Sequence, residues 1–120
     1  MRCPEPARVV AVPSQNKSWI AVDLDGTLAH EEEFKGIEHI GAAIPGMLRR
    51  VKAWINQGKT VKIFTARAAN PKAIPYIEDW LEAQGISGLE VTNQKDMHMI
   101  ELWDDLAIQV KKNTGVPVRG

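Results

Sequence analysis

Trp19-Ile20-Ala21-Val22-Asp23-Leu24-Asp25-Gly26-Thr27-Leu28 is an apolar run that delivers two carboxylates, separated by a single residue, into a glycine turn. The run is short, bounded by a turn signal, and reads as a strand. Aspartate is a poor strand former and is costly to bury unless paired or metal-bound. Two of them at a strand's end, followed by a flexible Gly, point to a place that holds a divalent cation against phosphate. The same letters also describe a strand ending in an ordinary Asx turn, for which Asp-Gly is common. The rest of the chain has to separate these readings.

Working outward, Pro45 stands at a first helical position, and Leu48, Val51, Trp54 and Ile55 line one face before Gly58 stops the helix. Residues 59–65 read as a second strand. Asn70-Pro71 opens a second helix with Ile74, Ile77, Trp80 and Leu81 inward and Gly85 at its end, and Pro75 is tolerable there only within the first turn. Leu89 to Thr92 is a third strand, a brief helical turn is expected around 95–99, and Ile100 to Trp103 form a fourth strand. Glu101 is awkward in a strand covered on both faces. Residues 29–44, with Glu31-Glu32-Glu33 and no clear period, read as a loop or small flap. Strands alternating with helical patterns predict an α/β fold, a Rossmann-like parallel sheet in a single domain, with ligands at the carboxyl ends of the strands. Residues 1–18, punctuated by Pro4, Pro6 and Pro13, read as a tail in which Val9 to Val12 are a candidate edge strand; the domain occupies 19–120.

Composition narrows the classes. The 120 residues suffice for one core but not for a second folded lid. Fifteen Lys and Arg balance fifteen Asp and Glu, which gives no sign of steering toward nucleic acid or an acidic membrane. The single Cys3 allows no internal disulfide, no apolar stretch approaches a membrane span, and residues 1–18 lack a signal-like apolar core. A cytoplasmic protein without a membrane partner is the expectation.

Three further elements follow the first in an order that resembles the haloacid dehalogenase superfamily of aspartate-dependent phosphohydrolases. Asp23, Asp25, Gly26 and Thr27 match its Asp-x-Asp-Gly-Thr motif, Thr65 its Ser or Thr after the next strand, and Lys95 its lysine. Asp104-Asp105 match its acidic pair after a last core strand. The resemblance covers about residues 19–110. It implies a sheet order of three, two, one, four, and, from the short spacing between motifs, a member without a cap domain. Dehalogenation is the less expected chemistry, because Asp25 and the acidic pair both point to phosphate. Leu106 follows the pair where some relatives carry Arg, which weakens any assignment to a polynucleotide-end phosphatase subgroup.

The resemblance implies a Mg²⁺-dependent phosphomonoester hydrolase working through an aspartyl-phosphate. Asp23 is the candidate nucleophile, and Asp25, two residues on and expected on the same side, the general acid and base. Mg²⁺ would be held by Asp23, the backbone carbonyl of Asp25 and one of Asp104 and Asp105, with Asp105 favoured for direct coordination. Thr65 and Lys95 would hold phosphate, although a lone Lys is usually a solvated surface group and Thr a common strand former. Arg67 reads equally as a phosphate contact or as the start of a loop. The substrate is a phosphorylated small metabolite, a nucleotide or a nucleic-acid end, and a homo-oligomer is one way to cover the site. His30, His39 and His98 lack metal-like spacing, the tryptophans read as packing residues, and no Gly-rich phosphate loop is present. The rival class is a phosphate-binding or signalling module without turnover. Receiver domains place their acidic pair first, whereas here the second acidic pair comes last.

Overall fold

The computed structural model describes residues 17–119; the candidate strand at Val9 to Val12 lies outside them. Four strands, β1 (Trp19–Val22), β2 (Val61–Phe64), β3 (Glu90–Thr92) and β4 (Met99–Trp103), form one parallel sheet in the order β3-β2-β1-β4. Two helices, α1 (Pro45–Asn56) and α2 (Ile74–Ala83), complete the α/β unit. No helix among the described residues is long and apolar enough to cross a membrane.

Strand alternation sorts the side chains. Ile20 and Val22 of β1 and Val61 and Ile63 of β2 meet Met47 and Val51 of α1 and Ile77 and Leu81 of α2 in the main core. Trp19 and Phe64 lie on the opposite face, with ring centroids 6.5 Å apart and the Lys62 ammonium 4.5 Å above the Trp19 ring. On α1 the inward line runs through Met47, Val51 and Trp54, whereas Ile55, expected inward, is exposed. It lies one residue, about 100° of helical turn, past Trp54. In α2, Pro75 sits in the first turn as required, behind a short 3₁₀ segment at Pro71–Ala73 whose first free amide, that of Lys72, donates to Asn70 Oδ1.

The helical turn expected around 95–99 is absent from the segment 93–98. That segment returns from the end of β3 to the start of β4 with only a tight turn at Met97 and His98. Trp19 fixes it, donating from Nε1 to Asp96 Oδ1 (2.8 Å) and from its backbone to His98 O (3.0 Å). Met99 already belongs to β4, so only 95–98 remain for a turn. Glu101 is accommodated because β4 is an edge strand: its carboxylate is exposed and accepts from Trp103 Nε1 at 3.0 Å. After β4 the chain forms a hairpin, unassigned from sequence, closed by Lys111 N–H to Val116 O and Val118 N–H to Gln109 O.

The turn after β1 is as firmly packed as the strand itself. Leu24 O accepts from the amides of Leu28 (3.0 Å) and Ala29 (2.8 Å), and Leu24, Leu28 and Ala29 are fully buried. The following loop is a flap. His30 N–H donates to Ala42 O and Ile44 N–H to Leu28 O, so its two ends lie side by side, and Trp80 Nε1 of α2 donates to Gly41 O at 3.0 Å. Gly41 itself packs against the His30 carbonyl, where a Cβ would collide. Trp80→Phe is expected to cost about 0.5–1.5 kcal/mol in urea unfolding, the net worth of one hydrogen bond. It should also speed hydrogen exchange at the His30 and Ile44 amides; unchanged exchange there would show that Trp80 does not anchor the flap.

Candidate functional site

Parallel register brings the acids together. Val22 pairs with Trp103, and Asp23 N–H donates to Trp103 O at 2.9 Å, so the next residues along, Asp23 and Asp104, leave the sheet side by side. Asp105 follows at once. Each of Asp23, Asp104 and Asp105 offers one carboxylate oxygen within 4.8 Å of the others. Such a set of hard oxygen donors suits a cation such as Mg²⁺.

The turn shapes this cluster. Gly26 has φ +90°, and a Cβ there would lie 2.8 Å from Asp105 Oδ2, so glycine serves both the backbone sign and the close approach of the carboxylate. Thr27 Oγ1 donates to Asp105 Oδ1 (3.3 Å), and Leu106 N–H donates to Asp104 Oδ1 (2.7 Å). Burial pushes the Asp23 carboxyl up from 3.8 to about 7, with the Asp104 charge and a hydrogen bond from the Asp23 carboxyl to Asp105 adding to the rise. Desolvation disfavours the charged form, and the neighbouring carboxylates disfavour it further.

Asp25 lies apart from this cluster. Arg67 donates to it through Nε (2.8 Å to Oδ2) and one terminal nitrogen (2.9 Å to Oδ1), a two-pronged ion pair between half-buried side chains. Period-two alternation placed Asp25 on the side of Asp23, but the strand ends at Val22 and the turn begins at Leu24, so alternation no longer governs position 25. Arg67 is therefore the site residue whose partner the sequence did not reveal. Its only signal there was its place two residues beyond Thr65.

Thr65 stands at the end of β2, buried, with its amide donating to Thr92 O and its Oγ1 accepting from Arg67 N–H (3.2 Å). Lys95 lies exposed on the loop after β3 and makes no hydrogen bond or ion pair among the described residues. The structure thus brings together Asp23, Asp104 and Asp105, sets Asp25, Arg67 and Thr65 next to one another, and leaves Lys95 outside both groups.

A cavity of about 220 Å³ opens beside Asp25 and Arg67, roofed by the flap from His30 to Lys35 with His39 and Gly41. His39 Nε2 and Glu32 Oε1 pair across the flap at 2.8 Å, which lowers the Glu32 carboxyl from its usual value. The cavity thus borders the Asp25–Arg67 pair, and none of Asp23, Asp104 and Asp105 lines it. Comparison with family models, curated proteins and solved structures gives no match, so this geometry carries the reading.

Because the folded-state value of Asp23 lies above its unfolded one, the stability it contributes is complete below 3.8 and is lost as pH rises through about 7. In the metal-free protein, Asp23→Asn is expected to gain on wild type in urea midpoint as pH is raised from about 5 to about 8. A constant difference between the two proteins over that range would show that Asp23 is not crowded by its neighbours.

Proposed function

We propose that the protein is a Mg²⁺-dependent phosphomonoester phosphatase of the haloacid dehalogenase type, without a cap domain. The observation that carries this reading is the meeting of Asp23 with Asp104 and Asp105 at the carboxyl ends of adjacent strands. A carboxylate is a competent nucleophile toward phosphorus, and an acid two residues on serves the leaving oxygen.

In the first step an Asp23 oxygen bonds to phosphorus while the bond from phosphorus to the leaving oxygen breaks, and Asp25 gives that oxygen its proton. In the second, Asp25 takes a proton from water as the water oxygen bonds to phosphorus. The bond from Asp23 to phosphorus then breaks, which frees inorganic phosphate and restores both carboxyl groups. Mg²⁺, held by Asp23, Asp105 and the carbonyl of Asp25, would offset the charge shared by phosphate and acids. Asp105 is preferred to Asp104 because it hydrogen-bonds the Asp23 carboxyl, whereas Asp104 caps the Leu106 amide. Thr65, buried beside the site, would hold a phosphoryl oxygen. Lys95 would have to swing in from its exposed loop to act on phosphate.

One observation favours a second reading. Both oxygens of Asp25 are engaged by Arg67 and Lys95 is disengaged, an arrangement equally suited to a module that binds phosphate, or is phosphorylated once, without turnover. A time course with a chromogenic phosphate ester separates them: repeated turnover supports the enzyme, and a single stable phosphorylation the module.

Asp23→Asn is expected to abolish turnover while leaving the fold intact. Asp25→Asn should cost at least about 10²-fold on esters with poor leaving groups, the lower scale of positioned acid–base catalysis. Normal rates in either variant would remove that residue from its role. Chelation should stop activity and Mg²⁺ restore it, and Asp105→Ala should raise the Mg²⁺ requirement more than Asp104→Ala. The reverse order would exchange the two aspartates.

A further inference from the structure

We infer that Arg67 is a positioning residue, whose guanidinium fixes the Asp25 carboxyl on the leaving-group side of the site; the inference rests on the phosphatase reading above. Asp25 stands in a turn, with Gly26 at φ +90° after it; it bridges only to Ala29 within that turn, so the register of the sheet does not dictate where its side chain points. The turn alone leaves its direction open. Arg67 resolves the choice with two parallel hydrogen bonds of 2.8 and 2.9 Å, which set both the direction and the plane of the carboxyl.

The backbone of Arg67, which carries the guanidinium, is itself held. Its own amide donates to Thr65 Oγ1, its carbonyl accepts from Asn70 N–H at 3.1 Å, and the 3₁₀ turn Ala66–Ala69 carries it directly off the end of β2. Arg67 and Asp25 both line the 220 Å³ cavity. The chain β2, Thr65, Arg67, Asp25 thus runs from the sheet to the wall where a leaving group would lie. Arg67 is spent on Asp25 along one edge of its fork, which argues for a residue acting through Asp25 and against a dedicated phosphate ligand. Lysine would keep the charge but not the two-point geometry.

The test measures kcat and KM for wild type, Arg67→Lys, Arg67→Ala, Asp25→Asn and the double variant Arg67→Ala/Asp25→Asn. Two esters are compared, p-nitrophenyl phosphate, whose leaving group departs without a proton, and glycerol phosphate, whose alkoxide needs one. Both Arg67 variants are expected to lose kcat on the alkyl ester about tenfold or more beyond their loss on the aryl ester, with the double variant no slower than Asp25→Asn. Equal losses on both esters carried by KM would make Arg67 a phosphate ligand and overturn the inference. So would rescue by Lys, or additive losses in the double variant.

A second measurement does not depend on turnover. The Arg67 Nε proton should give a slowly exchanging ¹⁵N–¹H signal in wild type that Asp25→Ala abolishes. Its absence from wild type overturns the positioning role whatever the rates. Presence of the signal without turnover of either ester overturns the phosphatase reading and leaves the pair itself standing.

Discussion

The hydrogen bond from the Asp23 amide to the Trp103 carbonyl is the last rung between β1 and β4, and the candidate site is laid out by it. It fixes which residue of one strand stands beside which residue of the other, and so makes neighbours of carboxylates 81 positions apart in sequence at one end, Asp23 and Asp104. Behind that rung the load is apolar: Ile20 and Val22 press on the helices, and Trp54 packs tilted at 59° against Trp103, centroids 5.1 Å apart, with Arg50 above the Trp103 ring. Ahead of it the chain must turn at once, and the buried Leu24, Leu28 and Ala29 hold the turn while its polar positions stay outside. A register slip of one residue in β4 would move every side chain of that strand to the other face and dissolve the acid cluster.

The polar residues beyond this rung fall into two groups with opposite electrostatics. Asp23, Asp104 and Asp105 form a concentration of like charge that is relieved by a proton on Asp23 or by a cation. Asp25 and Arg67 neutralise each other. The division lets four carboxylates share one end of a small sheet, and it places an uncompensated negative field beside a compensated pair. Phosphate, itself an anion, would meet both.

The strands and the two helices were legible because their apolar residues recur with the periods of the elements, two and 3.6. The convergence of Asp23 with Asp104 and Asp105 was legible for a related reason, since each lies just past an apolar run and parallel strands end on one edge. Three things were not. Ile55 looked inward because it follows Val51 by four residues, but the buried line of α1 runs through Met47 and Val51 to Trp54, on the other side of Val51 from Ile55. Residues 95–99 invited a helical turn, but only a tight turn at Met97 and His98 forms and Met99 already belongs to β4. The direction of Asp25 was invisible because it depends on Arg67, 42 positions away, and on a turn where strand alternation has already lapsed. The tail at Val9 to Val12 lies outside the described residues and adds nothing to this comparison.

Glu101 has a consequence for how these molecules meet one another. Among the described residues β4 has no neighbour on its outer side, and Ile100 and Leu102 are exposed on it, the ingredients of strand addition between copies. Glu101 is the middle residue of the five in Met99–Trp103. Two β4 strands that paired antiparallel about a central two-fold axis would therefore set Glu101 directly against its own copy, and like charges opposite one another weaken such pairing. The residue that fits the strand pattern worst is thus the one best placed to keep the sheet from growing past its fourth strand.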